Sequence, residues 1–121
     1  MPKLIFATKK GVGLVMRSNN YCWEFNEKED TYQLYYKRFY EREIIATIKC
    51  SASPGEPILP GDYRCVFGAR LNYSYEYLKS TSIEEAKKES EALIVQMLNK
   101  KIDFLYYEIE VTEMVKEDFK G

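Results

Sequence analysis

The chain has 121 residues, 45% of them hydrophobic and 31% charged, with a net charge of −1 and no histidine. That length fits one domain, residues 1–121, with a core of its own. The missing histidine excludes Ser-His-Asp and Cys-His nucleophile systems, histidine general bases and the usual histidine-containing zinc sites.

Taken in chain order, Lys3–Thr8 reads as a short apolar strand. Gly11-Val12-Gly13 supplies a turn before Leu14–Arg17, and Asn19-Asn20 supplies a second. Tyr21, Trp23 and Phe25 then alternate with Cys22 and Glu24, the period of a strand. Asn26–Asp30 is a polar loop. Thr31–Tyr40 is crowded with Tyr32, Tyr35, Tyr36, Phe39 and Tyr40, side chains that suit a pleated surface. Ile44, Ala46, Ile48 and Cys50 alternate with Ile45, Thr47 and Lys49, which predicts the next strand.

Ser51–Gly61 (SASPGEPILPG) carries three of the four prolines and reads as a loop. From Tyr63 to Tyr77 every second residue is apolar or aromatic, so the period predicts one long strand that Gly68 bends or bulges. At Ser82 the period changes. Ser82 and Glu85 make a capping box, and Ile83, Ala86, Ser90, Leu93, Ile94, Met97 and Leu98 recur at helical spacing. Asn99-Lys100-Lys101 suits a helix end. Phe104 and Tyr106, then Ile109 and Val111, predict a strand over 102–112, and Met114–Phe119 a short helix. The expected fold class is α+β: about five antiparallel strands, strongly curved, packed on one long amphipathic helix, with a C-terminal strand and short helix. Residues 1–78 form the β-rich part, and 82–119 hold the helix and C-terminal segment.

No catalytic set emerges. The glutamate pairs Glu41/Glu43, Glu84/Glu85 and Glu108/Glu110 read as surface charge and capping rather than two carboxylates held across a cleft. The three cysteines, Cys22, Cys50 and Cys65, are odd in number and lack a C-x-x-C pair, which fits buried reduced thiols in the cytoplasm. No metal-ligand spacing and no cofactor motif is present, and the short apolar start is neither a signal peptide nor a membrane span. The chain therefore reads as a non-enzymatic cytoplasmic protein.

What remains points to binding. Residues 1–80 carry a net +3 and residues 81–121 a net −4. Eleven tyrosines, six phenylalanines and Trp23 sit largely in the basic half, and aromatics interleaved with Lys and Arg can hold nucleotides and single strands. Arg64 and Arg70, read on one face of the long strand with Asn72 and Ser74, offer donors for a phosphate or a base edge. The same face also reads as solvated surface with cross-strand partners such as Glu24 or Glu43. Lys9-Lys10-Gly11-Val12-Gly13 lacks the full phosphate-loop pattern and reads as a hairpin turn, or as a small anion nest beside Lys9 and Lys10. The expected ligand-binding residues are Arg70, Asn72, Arg64, Tyr73, Tyr75, Lys9, Lys10 and Trp23. Tyr73, Tyr75 and Tyr77 exceed what one helix covers, which predicts a subunit or ligand interface and a homo-oligomer.

The stretch Tyr75–Leu93 (YEYLKSTSIEEAKKESEAL) resembles the strand-into-helix junction of small phage and prophage proteins. Those include inhibitors of bacterial defence that bind a defence protein or, like the anti-Thoeris sponges, sequester its nucleotide signal. The resemblance implies a phage-type anti-defence setting and assigns no residue a role. The leading expectation is an oligomeric protein holding an anionic, nucleotide-like small molecule. The alternatives are a protein–protein inhibitor or adaptor acting on a host protein, and a nucleic-acid-binding module, which the net charge disfavours.

Overall fold

A computed structural model of the protein describes residues 20–38 and 40–121. The expected strands at Lys3–Thr8 and Leu14–Arg17, and Lys9 and Lys10 between them, lie outside the described residues. Five strands follow: β1 Tyr21–Asn26, β2 Thr31–Arg38, β3 Glu41–Cys50, β4 Tyr63–Phe67 and β5 Tyr75–Tyr77. A short 3₁₀ turn, Ala69–Leu71, links β4 to β5, and one α-helix, α1, runs from Ile83 to Lys120. The strands pair antiparallel with their sequence neighbours in the order β1-β2-β3-β4-β5.

Register explains which side chains reach the core. Trp23, Leu34, Ala46 and Phe67 lie across from one another in one row, and Phe25, Tyr32, Ile48 and Cys65 in the next. Both rows face α1, and Ala46, Ile48, Cys65 and Phe67 are almost completely buried. Between Leu34 and Tyr35 the β2–β3 register shifts by one, because Tyr35 pairs with Ile44 and leaves Ile45 unopposed. The extra residue places both Ile45 and Ala46 in the core and turns Ile44 to the other face. The alternation expected from Ile44 to Cys50 is therefore broken at its start.

The helix begins as expected. The Ser82 hydroxyl accepts from the Glu85 N–H at 3.3 Å, and Glu84 and Glu85 sit in the first turn, favourable at the positive end of the helix. Glu89 reaches back one turn. Its carboxylate accepts from the N–H groups of Lys79 and Ser80 at 3.0 Å and from the Ser80 hydroxyl at 2.6 Å, tying the strap between β5 and α1 to the helix. Buried Ala86 and Ser90 keep this stretch of the helix close to the sheet.

Three expectations are corrected. The sheet is not strongly curved. The period-2 run from Tyr63 to Tyr77 is a hairpin, not one bent strand. Gly68 ends β4 because its N–H donates to Ile45 O at 2.8 Å while its carbonyl accepts from Leu71 and Tyr73. The chain then turns through Asn72 and Tyr73 at positive φ, 63° and 55°. A Cβ at Gly68 would collide with the Ile44 carbonyl oxygen, so the reversal needs a glycine there.

Residues 102–112 are the third correction: they form neither a strand nor, with Met114–Phe119, a separate short helix. All belong to α1, which is 38 residues long. No glycine or proline interrupts it after Ser82, and Asn99-Lys100-Lys101 without a following glycine does not stop it. The apparent alternation there belongs to a helix that is apolar on several sides. Ile102, Leu105 and Ile109 fall at i, i+3 and i+7 instead. Glu113–Lys116 and Glu117–Lys120 add i,i+3 pairs at 3.5 and 3.6 Å near its end.

Candidate binding face

The face of the sheet turned away from α1 is built by the alternate residues of each strand. One row crosses it as Lys49, Arg64 and Tyr77; the next as Glu24, Gln33, Thr47, Val66 and Tyr75. Two regions of this face differ in chemistry.

On the β1–β3 side the polar groups satisfy one another. Arg42 donates to Glu24 at 2.7 Å and lies 4.0 Å from the centre of the Tyr35 ring. That hydrogen bond to Glu24 raises the already high Arg42 pKa. The Tyr35 hydroxyl donates to Gln33 at 3.1 Å, and the Asn26 amide donates to the same Gln33 oxygen at 3.3 Å.

On the β3–β5 side the cations are unopposed. Lys49 and Arg64 are cross-strand neighbours, and among the described residues neither forms an ion pair. The Arg64 guanidinium lies 5.9 Å from the centre of the Tyr75 ring, and Tyr75 meets Tyr77 edge-on at 5.7 Å. Both tyrosines are more than half exposed. Beside them lies an open depression of ≈ 410 Å³ lined by Ile44, Thr47, Val66, Ala69 and Tyr73, and by Glu43, whose charge Arg70 balances. Two neighbouring cations next to exposed rings suit a ligand with one anionic end and one flat end.

The expected binding residues separate into groups. Arg64, Tyr73 and Tyr75 share this face. Arg70 does not share a strand with Arg64, since the hairpin intervenes. Its guanidinium clasps Glu43 through contacts of 2.6, 3.1 and 3.1 Å, and its carbonyl accepts from the Lys101 ammonium at 2.8 Å. The guanidinium's hydrogen bonds, with its charge behind them, hold the Glu43 carboxyl below the usual range. Arg70 thus joins the turn to β3 and to α1, the cross-strand reading with Glu43 that its sequence position also allowed. Asn72 closes the 3₁₀ turn, its N–H donating to Ala69 O at 3.0 Å. Trp23 is on the helix face, with its indole N–H donating to Glu91 at 2.8 Å. Lys49 went unnoticed in the sequence, because only the β3–β4 register puts it beside Arg64.

The cysteines also differ from expectation. Cys65 is buried, and that burial pushes its thiol up to about 11, but Cys22 and Cys50 are exposed. Among the described residues, no three Cys, Asp or Glu side chains gather as metal ligands, and no helix is long and apolar enough to cross a membrane. The chain matches no known protein-family model, no curated protein and no solved structure.

Proposed function

We propose that the protein is a non-enzymatic binding protein for an anionic, nucleotide-like molecule, held on the β3–β5 side of the open sheet face. The observation that carries this reading is the Lys49–Arg64 pair, without an ion-pair partner among the described residues, beside the exposed Tyr75 and Tyr77 rings. The cations take the phosphate, and a tyrosine takes the base by stacking. The resemblance of Tyr75–Leu93 to phage-type junctions supports a setting in which such binding sequesters a nucleotide signal. The odd, unpaired cysteines support a cytoplasmic one.

Titration calorimetry with cyclic and linear nucleotides tests the reading. A binder is expected in the panel, with Arg64→Ala weakening it roughly tenfold, the scale of one charge-assisted hydrogen bond. Tyr75→Ala is expected to cost a similar factor through lost stacking. Absence of heat from every nucleotide on folded protein overturns it. Tight binding of single-stranded DNA or RNA that falls steeply with salt, without mononucleotide binding, replaces it by the nucleic-acid reading.

A further inference from the structure

Among the described residues, no strand lies beneath the second half of α1. From Ile102 to the end every residue but Val111 is exposed. Yet Val95, Leu98, Ile102, Leu105, Ile109 and Thr112 follow one another at alternating steps of three and four, the seam of a coiled coil. Val95, Ile102, Leu105 and Ile109 are 57, 48, 49 and 57% exposed. A helix in water draws most of its stability from packing an apolar face. Here that face continues off the sheet, and no described residue covers it.

The seam starts in an open apolar cavity of ≈ 510 Å³ between α1 and the β1–β3 part of the sheet. Tyr21, Tyr36, Leu71, Ile94, Val95 and Leu98 line it, and Arg38, Arg70 and Glu91 sit at its rim. Groove and seam are therefore one continuous strip.

We infer that this strip is the interface of an antiparallel homodimer in which the second halves of two α1 helices pair. Both pairing directions bury the same apolar positions, so the charges beside the seam decide between them. In a parallel pair, Glu108 meets Glu113 of the partner subunit, and the two Lys116 side chains face each other across the seam. Antiparallel, with Ile102 against the partner's Leu105 and Leu98 against the partner's Ile109, the same residues become complementary. Lys101 then flanks the partner's Glu108, and Glu91 faces the partner's Lys116. Lys101 donates one hydrogen bond within its own chain, to Arg70 O, and keeps two further donors. Glu91 uses one carboxylate oxygen for Trp23 and keeps the other. The same alignment brings the partner's Val115 beside Ile94 at the cavity, so each chain's end covers the other's groove. The dimer does not depend on the ligand proposed for the opposite face, and either can fail alone.

Light scattering is expected to give twice the chain mass at high micromolar concentration. Lys101→Glu and Glu108→Lys are each expected to weaken the dimer roughly tenfold by placing like charges together, and the double exchange to restore it. Leu105→Asp is expected to give a monomer whose Trp23 fluorescence still reports a folded sheet. Direction is read by oxidative cross-linking of chains that lack the exposed thiols (Cys22→Ser, Cys50→Ser). Val95→Cys and Thr112→Cys chains should cross-link when mixed and not separately. A monomeric or higher-order native chain overturns the inference, as does cross-linking of Val95→Cys with itself.

Discussion

The two halves of α1 form one unbroken helix and are opposite in surroundings. Ile83–Lys101 lies on the sheet and buries Ala86, Ser90 and Ile94, while Ile102–Lys120 carries the larger set of bulky apolar side chains and buries none of them. Small residues mark the half that packs closely on its own chain. Large ones mark the half that lies exposed. Lys101, donating to Arg70 O, stands where one environment gives way to the other. A helix's apolar content therefore says how much surface needs a cover, and its small residues say where the chain itself supplies it.

The contrast is broken most directly by truncating one isoleucine in each half. Ile94→Ala is expected to destabilise the chain by about 2–5 kcal/mol, the range for emptying a packed site. Ile109→Ala should stay within about 0.5 kcal/mol in denaturant unfolding of dilute protein, where association contributes nothing. Equal losses would mean that the second half packs on its own chain after all.

A smaller effect is expected at the junction. Gly68→Ala forces a Cβ against the Ile44 carbonyl and shifts the turn that presents Arg70 O to Lys101. A cost of about 1–3 kcal/mol, the overpacking range, is expected in thermal or denaturant unfolding. An unchanged midpoint would show that the turn moves freely without loss.

The smallest effect concerns the strap at the start of the first half. Although burial alone would raise Glu89, hydrogen bonds from Ser80 and Lys79 lower its pKa below the ordinary 4.5. A carboxylate depressed in the folded state stabilises it above the unfolded-state value and loses that contribution as pH falls through the folded one. Stability should therefore decline from about pH 4.5 downwards, with Glu43 adding to the same slope through Arg70. Glu89→Gln is expected to cost about 1 kcal/mol at neutral pH and to flatten the acid limb. An acid limb of unchanged steepness in the variant would remove Glu89 from that role.

How much of this was legible in the residues varied with the kind of signal. β1 and β3 show in the period of their aromatics and isoleucines, β2 in its crowd of tyrosines, and the start of α1 in Ser82 and Glu85, because each of these signals is local. Tyr63, Phe67 and Leu71 keep the period of two and are all buried, since strand and turn alike point them inward. The hairpin at Gly68 was masked because its turn keeps the period of two on both sides. The far half of α1 misled for a different reason: with apolar residues on several sides, a helix offers a strand-like subset by chance. The candidate face was legible only in part. Arg64, Tyr73 and Tyr75 stand out by residue type, and Glu43 is among the cross-strand partners the sequence offers, but the pairing of Arg64 with Lys49 depends on the β3–β4 register.

The neighbour-to-neighbour strand order has a consequence for how the chain is made. Each strand finds its partner in the segment synthesised just before it, and hairpins close in microseconds while a ribosome adds roughly 5–20 residues per second. The sheet is thus paired long before its cover exists. The 38 residues of α1 take about 2–8 s to be added at that pace, and during that interval Leu34, Ile48 and Phe67 face water. Cotranslational exposure of the helix-side face, more than strand pairing, is the hazard that this order of elements builds into every round of synthesis.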